Sequence, residues 1–366
     1  MKRLFSLALT VLVLSPYLAL ARTGGAPPPY FTTVGDYAGK SLTPGDVDGW
    51  RVSTSLFNGP TLLTSGARGG VFVVDANNNA IRYVSDHFVN TWRKPDPAVY
   101  STFVLEIGGI AWQPLTDQLY FTNRAYNYVG YITENGDFWI AGAQSGASGY
   151  VDGPSTTARF NQPGAMVIDS HGNAYVADVG NRAIRKIDPQ GNVSTAYLDP
   201  SFGARALALD EPRGKLYAAW DRAIFAIDLA SHTATLFAGQ PYSQSFPPLQ
   251  AQMVDGDATT AVFVNPYALA VDAAGNVFVG DYTGPNPTSP DVGAIRQITP
   301  ATPKLVPLGV TTYPTTVATV VLLGERSGTI VPQYSDSVFM RPMGLTFLGS
   351  RLIVSDAWRA SLRYLR

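Results

Sequence analysis

Cysteine is absent from this chain, and histidine occurs only three times in 366 residues. The first absence excludes disulfides, thiolate metal sites and a cysteine nucleophile. Stability must then come from an extended hydrophobic core, which a chain of this length can build. Charge is also scarce: 26 Lys and Arg against 27 Asp and Glu leave a formal net charge of −1. Such a surface has no general attraction for phosphate backbones or anionic lipid, which argues against nucleic acid as a partner. Long helical periods are missing as well. Apolar residues come instead in short runs broken by Gly and Pro, the pattern of an all-β chain.

The one long apolar run is N-terminal. Lys2 and Arg3 precede Leu4 to Leu14, then Pro16, then Ala19-Leu20-Ala21, a small-x-small cleavage pattern. Residues 1–21 read as a signal peptide cleaved after Ala21, which leaves residues 22–366 secreted or in the lumen of the secretory pathway. The alternative is an uncleaved anchor, because Leu4 to Ala21 is almost long enough to span a bilayer. No later segment has such a run, so no stable membrane insertion is expected after cleavage.

What the chain has in quantity is repetition. Met166 to Asp178 (MVIDSHGNAYVAD) aligns with Leu269 to Asp281 (LAVDAAGNVFVGD), with Gly172-Asn173 over Gly275-Asn276. Each copy predicts two strands of alternating apolar residues joined by a tight turn, where Gly supplies positive φ and Asn tolerates it. Weaker copies place a second strand at Val71 to Asp75, Leu119 to Asn123, Leu216 to Trp220 and Leu352 to Asp356. A third strand follows in each, as at Ala183-Ile184-Arg185-Lys186, and then a fourth, clearest at Val193 to Tyr197, Thr233 to Ala238 and Ala318 to Leu323. Six units of four antiparallel strands predict an all-β, six-bladed β-propeller with four-stranded blades.

The third unit carries Asp152-Gly153, Phe160-Asn161-Gln162-Pro163, Gly172-Asn173, Tyr175 to Asp178, Asn181 and Ile184-Arg185. This pattern resembles the NHL repeat. The first and fifth units repeat it with Asp48-Gly49, Phe57-Asn58-Gly59-Pro60 and Asp75, and with Asp255-Gly256, Phe263, Asn265-Pro266 and Asp281. The sixth keeps Phe339, Pro342, Asp356 and Leu362-Arg363. Units two and four depart most, with no Asp-Gly and with Asn123 or Trp220 in the Asp position. The last unit stops after its third strand at Arg366, and Phe31 to Gly39 reads as an outer strand lacking a blade. Pairing the two would close the ring and remove an exposed sheet edge.

Alternating strand directions put the inter-blade loops and the second-to-third-strand turns on one face. Long loops lead into units one (Lys40 to Pro60), three (Ala143 to Pro163), five (Gln240 to Pro266) and six (Glu325 to Pro342). Units two and four are expected to be entered almost directly, and Tyr282 to Gly293 adds height on the same face. Uneven loops predict a groove there, where binding commonly resides. On the opposite face, Asp86 to Ala98 and Ala301 to Thr316 read as insertions. Trp50, Asp48, Asp152 and Asp257, all in the long loops, are the candidate ligand contacts.

Other tempting residues read as structural. Asp75, Asp178, Asp281 and Asp356 recur with the repeat, as turn-ordering residues do. Arg82, Arg185, Arg296 and Arg363 recur too and are expected to cover blade surfaces and pair with carboxylates. Asp255-Gly256-Asp257 lacks the further oxygens of a calcium loop. A peptide-amidating lyase of similar fold uses zinc in its central cavity, but His87, His171 and His232 all fall at turns, where none faces an axial channel. No metal, cofactor or catalytic residue is therefore assigned. Asn192-Val193-Ser194 is a glycosylation sequon, with Asn192 the acceptor. The expected function is a secreted binding or protein-interaction module acting through its inter-blade loop face on an extracellular or luminal protein, peptide or glycan. The alternative is a propeller enzyme of lyase, lactonase or hydrolase type with an axial pocket.

Overall fold

Consecutive apolar residues give a strand two hydrophobic faces, because successive side chains point to opposite sides, and each face finds its own neighbour. Val71 and Val73 pack with Tyr37, Phe57 and Ile353, whereas Phe72 and Val74 between them turn to Ile110, Leu119 and Phe121. Six clusters of this kind separate successive sheets, so the core is a ring of inter-sheet contacts and not one central mass. The computed structural model describes residues 31, 34–66, 69–94, 106–133, 136–241, 253, 255–282, 293–300, 316–319 and 339–366. The expected signal peptide, with Ala21, lies outside them, as do 283–292, 301–315 and 320–338.

The strands form six antiparallel sheets, the blades of a β-propeller. The innermost strands are Pro60–Ser65, Ile107–Gln113, Pro163–Ile168, Ala206–Asp210, Pro266–Val271 and Pro342–Leu348, and each touches the innermost strands of both neighbours. Val34–Ala38 pairs antiparallel with Ser361–Leu365, so the N-terminal strand completes blade 6 as expected. No helix among the described residues is long and apolar enough to cross a membrane.

Two loop expectations need correction. The described part of Asp86 to Ala98, residues 86–94, is not an insertion, because Phe88–Arg93 is the outer strand of blade 1, paired with Ala80–Val84; residues 95–98 lie outside the described residues. The turn before it closes within Ser85 to His87, where the Ser85 amide and hydroxyl both donate to the Phe88 carbonyl. The outer strand of blade 1 ends at Arg93 and the first strand of blade 2 begins at Ile107, so blade 2 does not follow directly. Blade 4 does, since only residues 199–205 separate Val193–Leu198 from Ala206–Asp210.

The recurring arginines do not cover surfaces. Arg82, Arg185 and Arg296 are 0 % exposed, each clamped between the Asp that ends the second strand and an Asp of the incoming loop. Arg185 lies 2.8 Å from Asp178 and 2.5 Å from Asp152. The Asp-Gly segment thereby becomes a fifth element at the blade edge. Gly49–Trp50 pairs with Phe88 and Val89, Gly256–Asp257 pairs with Thr316 and Val317, and Gly153 bridges Val193. Gly49 is required there: its φ is +151°, and a Cβ would meet Thr54 Oγ1 at 2.3 Å.

Candidate binding site

The six innermost strands surround an axial cavity of about 510 Å³. Leu62, Ile110, Val167, Leu207, Leu269 and Leu345 are among its walls, and its only charged lining residues among those described are Arg205 and Asp169. The strands approach closely because small residues face one another. A Cβ on Gly109 would stand 2.6 Å from the Gly164 carbonyl oxygen.

Register identifies what rings the mouth on the inter-blade loop side. Leu63, Ile110, Met166, Leu207, Leu269 and Leu345 pair with equivalent second-strand residues in the six blades. Two residues earlier, at the start of each innermost strand, stand Thr61, Gly108, Gly164, Arg205, Tyr267 and Met343. This position ranges from Gly to Arg, whereas the position two residues on is aliphatic or Met in all six blades. Arg205 is exposed, with its guanidinium 5.4 Å from the Tyr267 ring centre. Tyr267 meets Tyr282 at 5.3 Å, and Arg341 lies 5.5 Å from the Tyr282 ring, which makes a cation–aromatic row across blades 4, 5 and 6. The exposed Arg124 fills the space left by two glycines: its Nε is 2.8 Å from the Cβ position of Gly108, and its Nη2 is 3.9 Å from that of Gly164.

At the opposite mouth the first hairpin turns clasp one another. Gln113 Nε2 donates to the Gly172 carbonyl, the Ser170 amide and hydroxyl donate to Glu211, and Arg213 Nη2 donates to the Ala274 carbonyl. His171 Nδ1 lies 3.3 Å from Glu211 Oε1. Ser170, His171 and Glu211 are the residue types of a nucleophilic triad, but not its arrangement. Ser170 Oγ donates to Glu211 and also lies 3.4 Å from His171 Nδ1, the same nitrogen that Glu211 approaches, so the imidazole does not stand between serine and carboxylate as a triad requires. His171 is 78 % exposed, outside the channel. Asp169 accepts the amides of His171 and Asn173, which orders the turn.

The Asp residues that end the second strands look inward to the repeat. Asp75, Asp178 and Asp281 accept the amides of Asn58, Asn161 and Asn265, and Asp356 accepts that of Arg341. Burial pushes Asp75 and Asp281 up to about 6 against these hydrogen bonds and the adjacent arginines, and it raises Asp178 and Asp356 as well. Among the described residues, no group of three or more His, Asp or Glu side chains converges as a metal site.

The four candidate contacts read from sequence do not meet. Asp48 lies 2.8 Å from Arg82 and accepts the Thr91 amide and hydroxyl; Asp152 holds Arg185 and Thr195 in the same way. Asp257 accepts the amides and hydroxyls of Thr259 and Thr260, which hold its carboxyl below the usual range. These three sit at the outer edges of blades 1, 3 and 5. Trp50 is 56 % exposed and lies on Phe88 with ring centres 4.2 Å apart, an aromatic face at the edge of blade 1. Asn192 is exposed, and its Nδ2 donates to Asp188 at 2.9 Å. Sequence reasoning missed Arg124, Arg205 and Tyr267, although comparing the six copies at that one position would have found Arg205 and Tyr267.

No family model matches the chain. Teneurin-1 of Gallus gallus is 23% identical over 290 residues, which are 69% of this chain and 10% of that protein. The chain therefore spans about a tenth of the length of the curated relative it matches. An auxiliary nutrient binding protein from Bacteroides thetaiotaomicron VPI-5482 superposes with a TM-score of 0.63 at 14% identity, covering 91% of this chain and 76% of that one. A streptogramin B lyase superposes with a TM-score of 0.51 at 13% identity, covering 91% and 97%. These structural neighbours share the fold and nothing narrower, and this chain is a six-bladed β-propeller.

Proposed function

We propose that this propeller is a binding module, of NHL-repeat type and secreted or luminal, that holds its ligand on the inter-blade loop face over the mouth of the axial channel. A nutrient binding protein and a lyase both use this architecture, so fold alone does not choose between binding and catalysis. The observation that carries the reading is the composition of the mouth. Arg205 and Tyr267 offer recognition chemistry in the lining of a cavity of about 510 Å³, a size typical of small-molecule sites, with Arg124 nearby at the starts of the blade 2 and blade 3 strands. The exposed Trp50 and Phe88 pair supports a second contact surface for a protein, peptide or glycan, and Asn192 is the proposed glycosylation site.

A thermal-shift screen of sugars, organic acids, amino acids and dipeptides tests the reading when run in parallel on the Ala165→Trp variant. Ala165 is half-buried and lines the channel, so a Trp there obstructs it. Ligands that raise the melting temperature of the wild type and not of the variant uphold the proposal. Ligands that stabilise both equally place binding elsewhere, and a hit recovered chemically altered favours the enzyme alternative.

A further inference from the structure

The cations of this protein sit in several settings, and exposed ones such as Arg213 and Lys215 pair with carboxylates. Arg82, Arg185 and Arg296 are buried, and each faces at least two carboxylates. Arg205 and Arg124 are exposed, and among the described residues no carboxylate lies within ion-pair distance of either. Packing accounts for the buried arginines, since a buried guanidinium requires charge partners. It does not account for Arg205 and Arg124. Arg205 stands at a ring position where other blades place Thr61, Gly108, Gly164, Tyr267 or Met343, so the fold imposes no arginine there. The Arg205 guanidinium is instead positioned against Tyr267 and projects into the channel lining.

We infer that Arg205, assisted by Arg124 of blade 2, binds the carboxylate of a small organic acid whose body occupies the channel. The inference rests on the reading that ligands are held on this face, and it names their chemical class. A guanidinium matches a carboxylate with two parallel N–H donors, which favours a planar anion over a neutral polar group. Below Arg205 the walls combine aliphatic side chains, Leu207, Leu269 and Leu345 among them, with the hydroxyls of Thr64, Ser65 and Thr346, so the channel takes a body of mixed polarity. Charge along the channel sets the orientation. Arg205 lines one end and Asp169 the other, so an acid enters with its carboxylate held at the loop-side mouth and the rest of the molecule toward the clasped turns.

The test is isothermal titration of the full chain with 3-phenylpropanoate, 3-phenylpropanamide and inorganic phosphate. The acid is expected to bind about tenfold or more tightly than its amide, the cost of losing one charge-assisted contact. Arg205→Gln should remove that preference by weakening the acid alone, with Arg205→Lys intermediate. Arg124→Gln, made separately, should weaken the acid in the same direction, and unchanged melting temperatures show that the variants are folded. Equal affinity for acid and amide, no binding of the acid at millimolar concentration, or indifference to both substitutions overturns the inference. Phosphate binding as tightly as the acid also overturns it, by showing an adventitious ion only. In any of these cases, neutral ligands excluded by Ala165→Trp would still uphold the wider binding reading.

Discussion

At the scale of single residues, the molecule turns on a three-part clamp of Asp, Arg and Asp. Blades 1, 3 and 5 have all of it. Blades 2 and 4 lose all of it together: Asn123 and Trp220 replace the strand-end Asp, Gly130 and Phe225 replace the Arg, and the Asp-Gly arm is absent. The coincidence has a physical cause, since a buried guanidinium without its carboxylates would be left charged in a low-dielectric core. Arg185→Met should therefore destabilise by about 3 kcal/mol or more, because it strands Asp178 in the interior. Adding Asp178→Asn to it should recover part of the loss, and urea denaturation of the single and double variants checks both statements.

The same carboxylates set a pH dependence. Burial raises Asp75 and Asp281 from 3.8 to about 6, so the folded state binds protons that the unfolded state has released. Their stabilising contribution is complete below the unfolded value and is lost as pH rises through about 6. Asp228, whose carboxylate is held low by Lys215 and by the Ser231 amide and hydroxyl, works oppositely and loses its contribution at more acid pH. Stability should peak near pH 5, measured as the urea midpoint across the range. A midpoint that rises steadily from pH 5 to pH 8 contradicts this assignment.

At the scale of elements, alternation and turn chemistry made much of the fold legible. MVIDSHGNAYVAD predicts a hairpin, and Pro163–Ile168 and Ala174–Asp178 form it around Gly172. What escaped was structure without periodicity. The outer strand Phe88–Arg93 follows a turn with no Gly, and the two-residue arms are fixed by the Arg clamp and not by any pattern of their own. The closing strand was legible only through bookends, as a strand without a blade and a blade without a strand. Its anchor is Tyr37, 1 % exposed and stacked 4.4 Å from the Arg51 guanidinium. Tyr37→Ala should cost about 3 kcal/mol, the scale for deleting a buried aromatic. Calorimetry should show one lowered transition, because the strand belongs to the ring that it closes.

At the scale of the whole molecule, the repeat explains the walls and the exceptions supply the chemistry. A propeller needs small or aliphatic residues where six strands crowd an axis, and Gly109, Ala165, Ala208, Ala268 and Gly344 meet that need. Loop lengths predicted a functional face but gave no residue at the axial mouth, because Arg205 stands at a position that differs among the six copies and so belongs to no repeat motif. The long loops instead drew attention to Asp48, Asp152 and Asp257, which hold the blade edges together.

Hydrogen exchange with and without a ligand obtained from the thermal-shift screen tests the central claim most directly. Binding at the channel mouth predicts new protection at the starts of the innermost strands, around residues 108–110, 204–207 and 267–269. Protection confined to the clasped turns at 169–173 and 211–215, or to the arms at 48–50 and 256–257, would contradict it.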